Sequence, residues 1–202
     1  MTKIGFFGGT FNPIHNAHLR IAQEAQKRFQ LDRILLVPSG YSWMKDPAEI
    51  APREDRLRMA ELAAEEYEGF MVSTIETDQE GPTYSCETLQ KLKVLYPEGE
   101  LFFIIGADQL FILEQWKKPE EIFRLATILV ADRGGFDQQE MEDKAAELTE
   151  RFGARIKIYH MEASELSSTK LREQVRKGED IRGCVPDKVV EYITEKRLYL
   201  QG

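Results

Sequence analysis

Cysteine and histidine are scarce in this chain. Its 202 residues hold two cysteines, Cys86 and Cys184, and three histidines, and the cysteine spacing matches neither a disulfide framework nor a redox pair. A His/Cys metal site has too few ligands to draw on, and the two thiols suit a reduced interior. No apolar run approaches bilayer-spanning length, and the brief one at the amino end is too short for a signal peptide. The chain therefore reads as soluble and cytoplasmic. Positive charge is in deficit, with 27 Lys and Arg against 35 Asp and Glu for a net charge of −8, which argues against a broad nucleic-acid surface. Anionic ligands must then be met locally. Repeats, low-complexity tracts and clear linkers are also missing, so a single domain over residues 1–202 is the economical reading, with 42% apolar residues to build its core.

What the chain does have is alternation. Short apolar runs at Ile4 to Phe7, Arg33 to Pro38, Phe70 to Ile75, Leu101 to Ile105, Thr127 to Ala131 and Arg155 to Tyr159 read as strands. Helical periods fall between them: Leu19, Ile21, Ala22, Ala25 and Phe29; then Leu57, Met59, Ala60, Leu62 and Ala63 after Pro52; then Leu89, Leu92 and Leu95. Further helices are expected up to Trp116, at Pro119 to Arg124 and at Gln138 to Phe152, with two closing helices at Glu165 to Gly178 and Pro186 to Glu195. Continuous apolar strands alternating with helices predict an α/β, Rossmann-like doubly wound parallel sheet in three layers, ending in helices. In such sheets ligands bind beyond the carboxyl ends of the strands, where the Gly8 and Gly106 turns fall.

The stretch Gly8-Gly9-Thr10-Phe11-Asn12-Pro13-Ile14-His15-Asn16-Ala17-His18 sits where the first strand hands over to the first helix. Unpaired N–H groups and the positive dipole end of a helix favour an anion there. His15 and His18, three residues apart, share one helical face, and the paired glycines allow close approach and unusual dihedrals. A tight turn with two surface histidines explains the same pair less specifically. A second constellation, Glu165-Leu166-Ser167-Ser168-Thr169-Lys170-Leu171-Arg172, places three hydroxyls at a helix start with Lys170 and Arg172 close behind. Plain capping accounts for Ser167 or Ser168 but not for cations at the positive end of the dipole, unless an anion lies near.

The first string resembles the signature of the nucleotidyltransferase superfamily, Gly-Gly-Thr-Phe-Asp/Asn-Pro-x-His-x-Gly-His, with Ala17 in place of the last glycine. The second is similar to that superfamily's Ile-Ser-Ser-Thr-x-Ile-Arg. Gly106-Ala107-Asp108 followed by Trp116, the connection Gly81 to Leu89, and the closing Val-Pro-Asp helix narrow the resemblance to bacterial nicotinate mononucleotide adenylyltransferases. After the second strand, Pro38 and Lys45 keep that family's spacing, while Ser42-Trp43-Met44 departs from its Pro-Pro-His.

The resemblance implies attack of the 5′-phosphate of nicotinate mononucleotide on the α-phosphate of ATP, carried by positioning and charge stabilisation. It places His15, His18, Lys45 and Arg172 in catalysis, with both histidines in their protonated form. Gly8, Gly9, Thr10, Phe11, Gly106, Asp108, Ser167, Ser168 and Thr169 would bind ATP, Asp108 at the ribose unless it serves as a helix cap. Thr83, Tyr84, Trp116 and Arg133 would meet nicotinate mononucleotide, although Tyr84 and Trp116 also suit an ordinary core and Arg133 a solvated surface. Magnesium would arrive on the ATP phosphates, with no dedicated protein ligand. A related enzyme acting on nicotinamide mononucleotide or another phosphate acceptor, or a non-catalytic nucleotide sensor, shares the same signatures. A homo-oligomer surface would look like one more apolar helix face.

Overall fold

The computed structural model describes residues 1–40 and 50–200. Six strands, β1 (Lys3–Gly9), β2 (Arg33–Pro38), β3 (Phe70–Val72), β4 (Glu100–Gly106), β5 (Ala126–Asp132) and β6 (Ile156–His160), form one sheet in the order β3-β2-β1-β4-β5-β6. Among the described residues, α-helices alternate with them or follow: α1 (Asn16–Phe29), α2 (Arg53–Ala64), α3 (Ser85–Leu95), α4 (Ala107–Leu110), α5 (Pro119–Leu125), α6 (Gln138–Phe152), α7 (Ser168–Arg176) and α8 (Asp187–Lys196), with a 3-10 turn at Leu113–Gln115. That strand order, with its reversal between β1 and β4, is the doubly wound arrangement expected from the sequence. No helix is long and apolar enough to cross a membrane among the described residues.

Packing resolves two compact units, each assembled from separated stretches of chain. The first comprises Met1–Gly8, Ile21–Ile34 and Tyr84–Ser164. Here β1 pairs parallel with β4 from Lys3 opposite Glu100 to Phe6 opposite Phe103; β4 runs parallel to β5, and β5 to β6. Every residue of β5 is buried, as befits a central strand covered on both faces. Phe6 and Phe103 stack across the β1–β4 pair with centroids 4.6 Å apart. The carboxyl ends of these neighbours deliver Gly8 and Gly106.

The second unit comprises Gly9–Arg20, Leu35–Thr83 and Glu165–Gly202. Its α2 packs on α8, where the Tyr192 hydroxyl donates to Asp55 at 2.7 Å. The buried stripe of α2 is Arg56, Met59, Ala60, Ala63 and Ala64, so an arginine occupies the position that the apolar period had assigned to Leu57. Leu57 and Leu62 are only half-buried.

Two element boundaries and one buried position differ from the sequence reading. Strand β3 stops at Val72 because the next residues close a polar turn: the Asp78 N–H donates to the Thr74 carbonyl and the Thr74 hydroxyl to Asp78 Oδ2. Helix α7 begins at Ser168 because Ser167 caps it, its Oγ accepting from the Lys170 N–H at 3.3 Å. Leu95, expected on the inner face of α3, lies 63% exposed at the helix end.

Candidate active site

The signature turn in the second unit is held by buried polar groups. Its left-handed residue is Phe11, at φ 47°; neither Gly8 nor Gly9 has positive φ, contrary to the expectation from the paired glycines. Gly9 serves a different purpose: a Cβ there would lie 2.8 Å from the Phe11 ring, which would have to shift. The Asn12 side chain accepts from the Ala51 N–H and from the Tyr199 hydroxyl, both at 3.0 Å. Burial pushes the Tyr199 phenol well above its usual range, with the neighbouring Arg172 and Arg56 guanidiniums only opposing this, so the hydroxyl stays a donor.

His15 directly precedes α1 and is buried, while His18 falls in the first turn and is half-exposed. The His15 N–H donates to His18 Nδ1 at 3.3 Å, the backward reach of a capping box with histidine in the place usually held by glutamate. An accepting Nδ1 carries no proton, which assigns neutral His18 to the Nε2–H tautomer. The two imidazoles stack with centroids 3.7 Å apart and planes 23° from parallel, a poor arrangement for two positive charges. This arrangement belongs to a neutral His18; taking up a second proton would require the ring to give up the His15 N–H. The Phe11 ring meets His18 edge-on at 5.3 Å. Fewer main-chain donors remain for an anion than a bare helix start offers, because the Asn16 N–H is taken by the Cys184 carbonyl at 2.9 Å.

Helix α7 ties itself to the same turn. The Ser168 hydroxyl donates to the Pro13 carbonyl at 3.0 Å and Arg172 NH1 to the Asn12 carbonyl at 3.1 Å. Arg172 is buried, whereas Thr169 and Lys170 are exposed. Thr10 is half-exposed, with its carbonyl accepting from Arg56 at 2.8 Å. Thr83 donates its hydroxyl to Glu76 Oε2 at 2.8 Å, a buried carboxylate, so any meeting of Thr83 with a substrate carboxylate falls to its main chain. Lys45 and the Ser42-Trp43-Met44 departure lie outside the described residues.

In the first unit, Gly106 precedes α4 and leaves its side-chain cap position empty, so Asp108 is not a helix cap. Asp108 is exposed; its Oδ2 accepts from Gln109 at 2.6 Å and its Oδ1 lies 2.5 Å from where a Cβ on Gly106 would sit. Only glycine at 106 leaves the carboxylate that position. Trp116 is half-buried, its ring 6.1 Å from Phe103. Next to it in the chain, Lys117 sets its ammonium 3.8 Å from the centroid of the Tyr84 ring and 2.7 Å from Glu87 Oε1. Arg133 is half-exposed after β5, in a turn fixed by Asp132, which accepts from the Gly134 N–H and from His160.

The sequence reading did not single out Asn12, Arg56, Glu76 or Lys117. For Arg56 a signal existed: it is in phase with Met59, Ala60 and Ala63 at i, i+3, i+4 and i+7, a spacing that puts a charged residue on a buried stripe. Nothing local distinguishes Glu76.

Comparison with known proteins adds three findings. Residues 6–174 match the family profile described as cytidylyltransferase-like. A protein of Lachnoclostridium phytofermentans named "Probable nicotinate-nucleotide adenylyltransferase" is 40% identical over 200 residues, covering 99% of this chain and 100% of its own length. Another of that name from Saccharopolyspora erythraea is 38% identical, covering 98% of this chain and 89% of itself. Among solved structures, the Plasmodium falciparum nicotinic acid mononucleotide adenylyltransferase shares the fold: its complex with NaAD superposes with a TM-score of 0.81 at 19% identity, and its complex with APC with 0.79 at 18%. These cover 100% of this chain and 99% of theirs.

Proposed function

Because the chain belongs to the nicotinate-nucleotide adenylyltransferase family of cytidylyltransferase-like proteins, we infer that it transfers the adenylyl group of ATP to nicotinate mononucleotide. A phosphate oxygen of the acceptor forms a bond to the α-phosphorus, the bond to the bridging oxygen of pyrophosphate breaks, and nicotinate adenine dinucleotide and pyrophosphate leave. The nucleophile is already anionic, so no base has to remove a proton. The protein's work is to orient the groups and stabilise charge spreading over the phosphate oxygens.

One observation supports this reading at the level of residues: the His15 N–H donates to Nδ1 of His18, and in this proposal Nε2–H is the donor that meets the α-phosphate. Such a donor needs no reorganisation when charge develops on the α-phosphate. In this proposal His15, Thr10 and Ser168 complete the phosphate contacts, with Gly8, Gly9, Phe11, Ser167 and Thr169 shaping them, and Arg172 and Lys45 supply charge. Arg172 does so while also holding the Asn12 carbonyl, so it is part scaffold. Gly106 and Asp108 suit the adenosine ribose, and the exposed carboxylate supports that role. Trp116, Tyr84, Thr83 and Arg133 take the nicotinate nucleotide. Among the described residues no group of three or more His, Cys, Asp or Glu offers a metal cage, so magnesium is proposed to arrive on the ATP phosphates and water, lowering their charge. One domain and a cytoplasmic location belong to the same proposal, the first supported by a chain that alternates repeatedly between its two units.

Purified protein supplied with ATP, magnesium and either nicotinate or nicotinamide mononucleotide tests the reading by pyrophosphate release. Faster release with the acid is the expected result. A preference for the amide would reassign the acceptor, and no release with either would remove the enzymatic reading.

A further inference from the structure

Arg56 is 2% exposed, yet its guanidinium meets no carboxylate among the described residues. Its donors go instead to three main-chain carbonyls: Nε to Ala51 at 3.2 Å, NH1 to Thr10 at 2.8 Å and NH2 to Gly40 at 3.3 Å. These acceptors lie in three separate stretches, the signature turn, the residues after β2 and the residues before α2. Burying this charge costs more in desolvation than nearby Glu54 returns, and an apolar side chain would fill the α2 stripe without that cost. A flat fork fixes acceptors within one plane, which an ammonium or an apolar group does not do.

The Thr10 contact leads to the histidines. In a trans peptide the C=O and N–H point in opposite directions, so holding the Thr10 carbonyl on Arg56 sets the whole Thr10–Phe11 peptide. Phe11 then takes a left-handed φ of 47°, a conformation that is unfavourable for a non-glycine residue and persists only where surroundings enforce it. That conformation places the Phe11 ring edge-on to His18 and against Gly9.

We propose that Arg56 is a positioning residue for adenylyl transfer, which sets the His18 imidazole by way of the Thr10 carbonyl and the left-handed Phe11. The proposal rests on the phosphate role assigned to His18 above. Arg56 touches no reacting atom in this scheme; its effect reaches the chemistry through the ring that His18 packs against.

The test uses the full-length protein with ATP, magnesium and nicotinate mononucleotide. Arg56→Lys keeps charge and most of the volume but loses the fork; Arg56→Ala opens a space that guanidinium ion fits. Arg56→Lys should lose about 100-fold in kcat, the scale of an ångström-sized misplacement, with KM for both substrates within about threefold. Millimolar guanidinium, well below denaturing levels, should restore about tenfold or more of kcat to Arg56→Ala while leaving its melting temperature and the parent enzyme unchanged. A role confined to stability would lower the melting temperature and leave kcat of the folded fraction alone. That result, absence of rescue, or failure of both variants to fold would overturn the proposal. An inactive parent enzyme would instead overturn the reaction itself, so the two failures are distinguishable.

Discussion

The two units place their functional residues in opposite ways. In the second, the signature turn is surrounded by buried or half-buried polar groups whose contacts run mainly to main-chain carbonyls: Arg56 to Thr10, Arg172 to Asn12, Ser168 to Pro13. In the first, an apolar sheet ends in groups that are exposed or half-exposed, such as Asp108, Trp116 and the Lys117–Glu87 pair over Tyr84. Main-chain ties among buried groups have few alternatives, because each lost partner leaves a polar atom stranded. Side chains at a wet rim can adopt other rotamers at little cost. The first pattern suits chemistry, which needs fixed donors, and the second suits recognition, which tolerates adjustment. Substitutions in the turn should therefore act on kcat, and those at the rim on KM.

The severest trial of that contrast is His18→Ala, which removes a preorganised donor and should lower kcat by about 100- to 1,000-fold with little change in melting temperature. Near-normal turnover would end the assignment. Gly40→Ala probes the turn's supports rather than its donors. A Cβ at Gly40 would lie close on the Glu76 carbonyl, backbone that cannot rotate away, so a loss of about 1–3 kcal/mol in urea unfolding is expected. A neutral result would mean that this part of the second unit yields more readily than the contrast allows.

Trp116→Ala addresses the rim and should raise KM for nicotinate mononucleotide about 5- to 10-fold, the worth of one aromatic stacking contact, with kcat nearly constant. A fall in kcat alone would erase the distinction between the two regions. The smallest effect belongs to Glu114 in the first unit, whose carboxyl is held below its usual 4.5 by hydrogen bonds from Lys144 and Arg151 against some desolvation. A depressed folded-state value stabilises above the unfolded value and loses that contribution as pH falls through the folded one. Glu114→Gln should thus melt slightly lower than the parent at pH 7, with the difference closing in acid as the carboxyl takes up its proton; a gap that persists in acid would point to packing instead.

Much of this architecture was readable from residue order. Arg33–Pro38 and Gln138–Phe152 appear with the boundaries that the apolar runs and the Asp137 cap dictate, because the forces that set them are local. The handover from β1 to α1 at the signature turn was legible for the same reason. What escaped is long-range. The role of Asn12 depends on Ala51 and Tyr199, far away in the chain. Leu57 was favoured over Arg56 as an inward residue because hydrophobicity ranks them that way, whereas the carbonyls of Thr10, Gly40 and Ala51 reverse the ranking. A turn made of main-chain carbonyls leaves no mark in side-chain composition.

The Tyr199 hydroxyl on Asn12 has a practical bearing on handling this enzyme. The same Asn12 oxygen also takes the Ala51 N–H, so two parts of the chain distant from the turn meet on one buried atom. Damage to either would reach turnover through the shape of the turn, which makes activity a more sensitive gauge of sample integrity than the melting temperature.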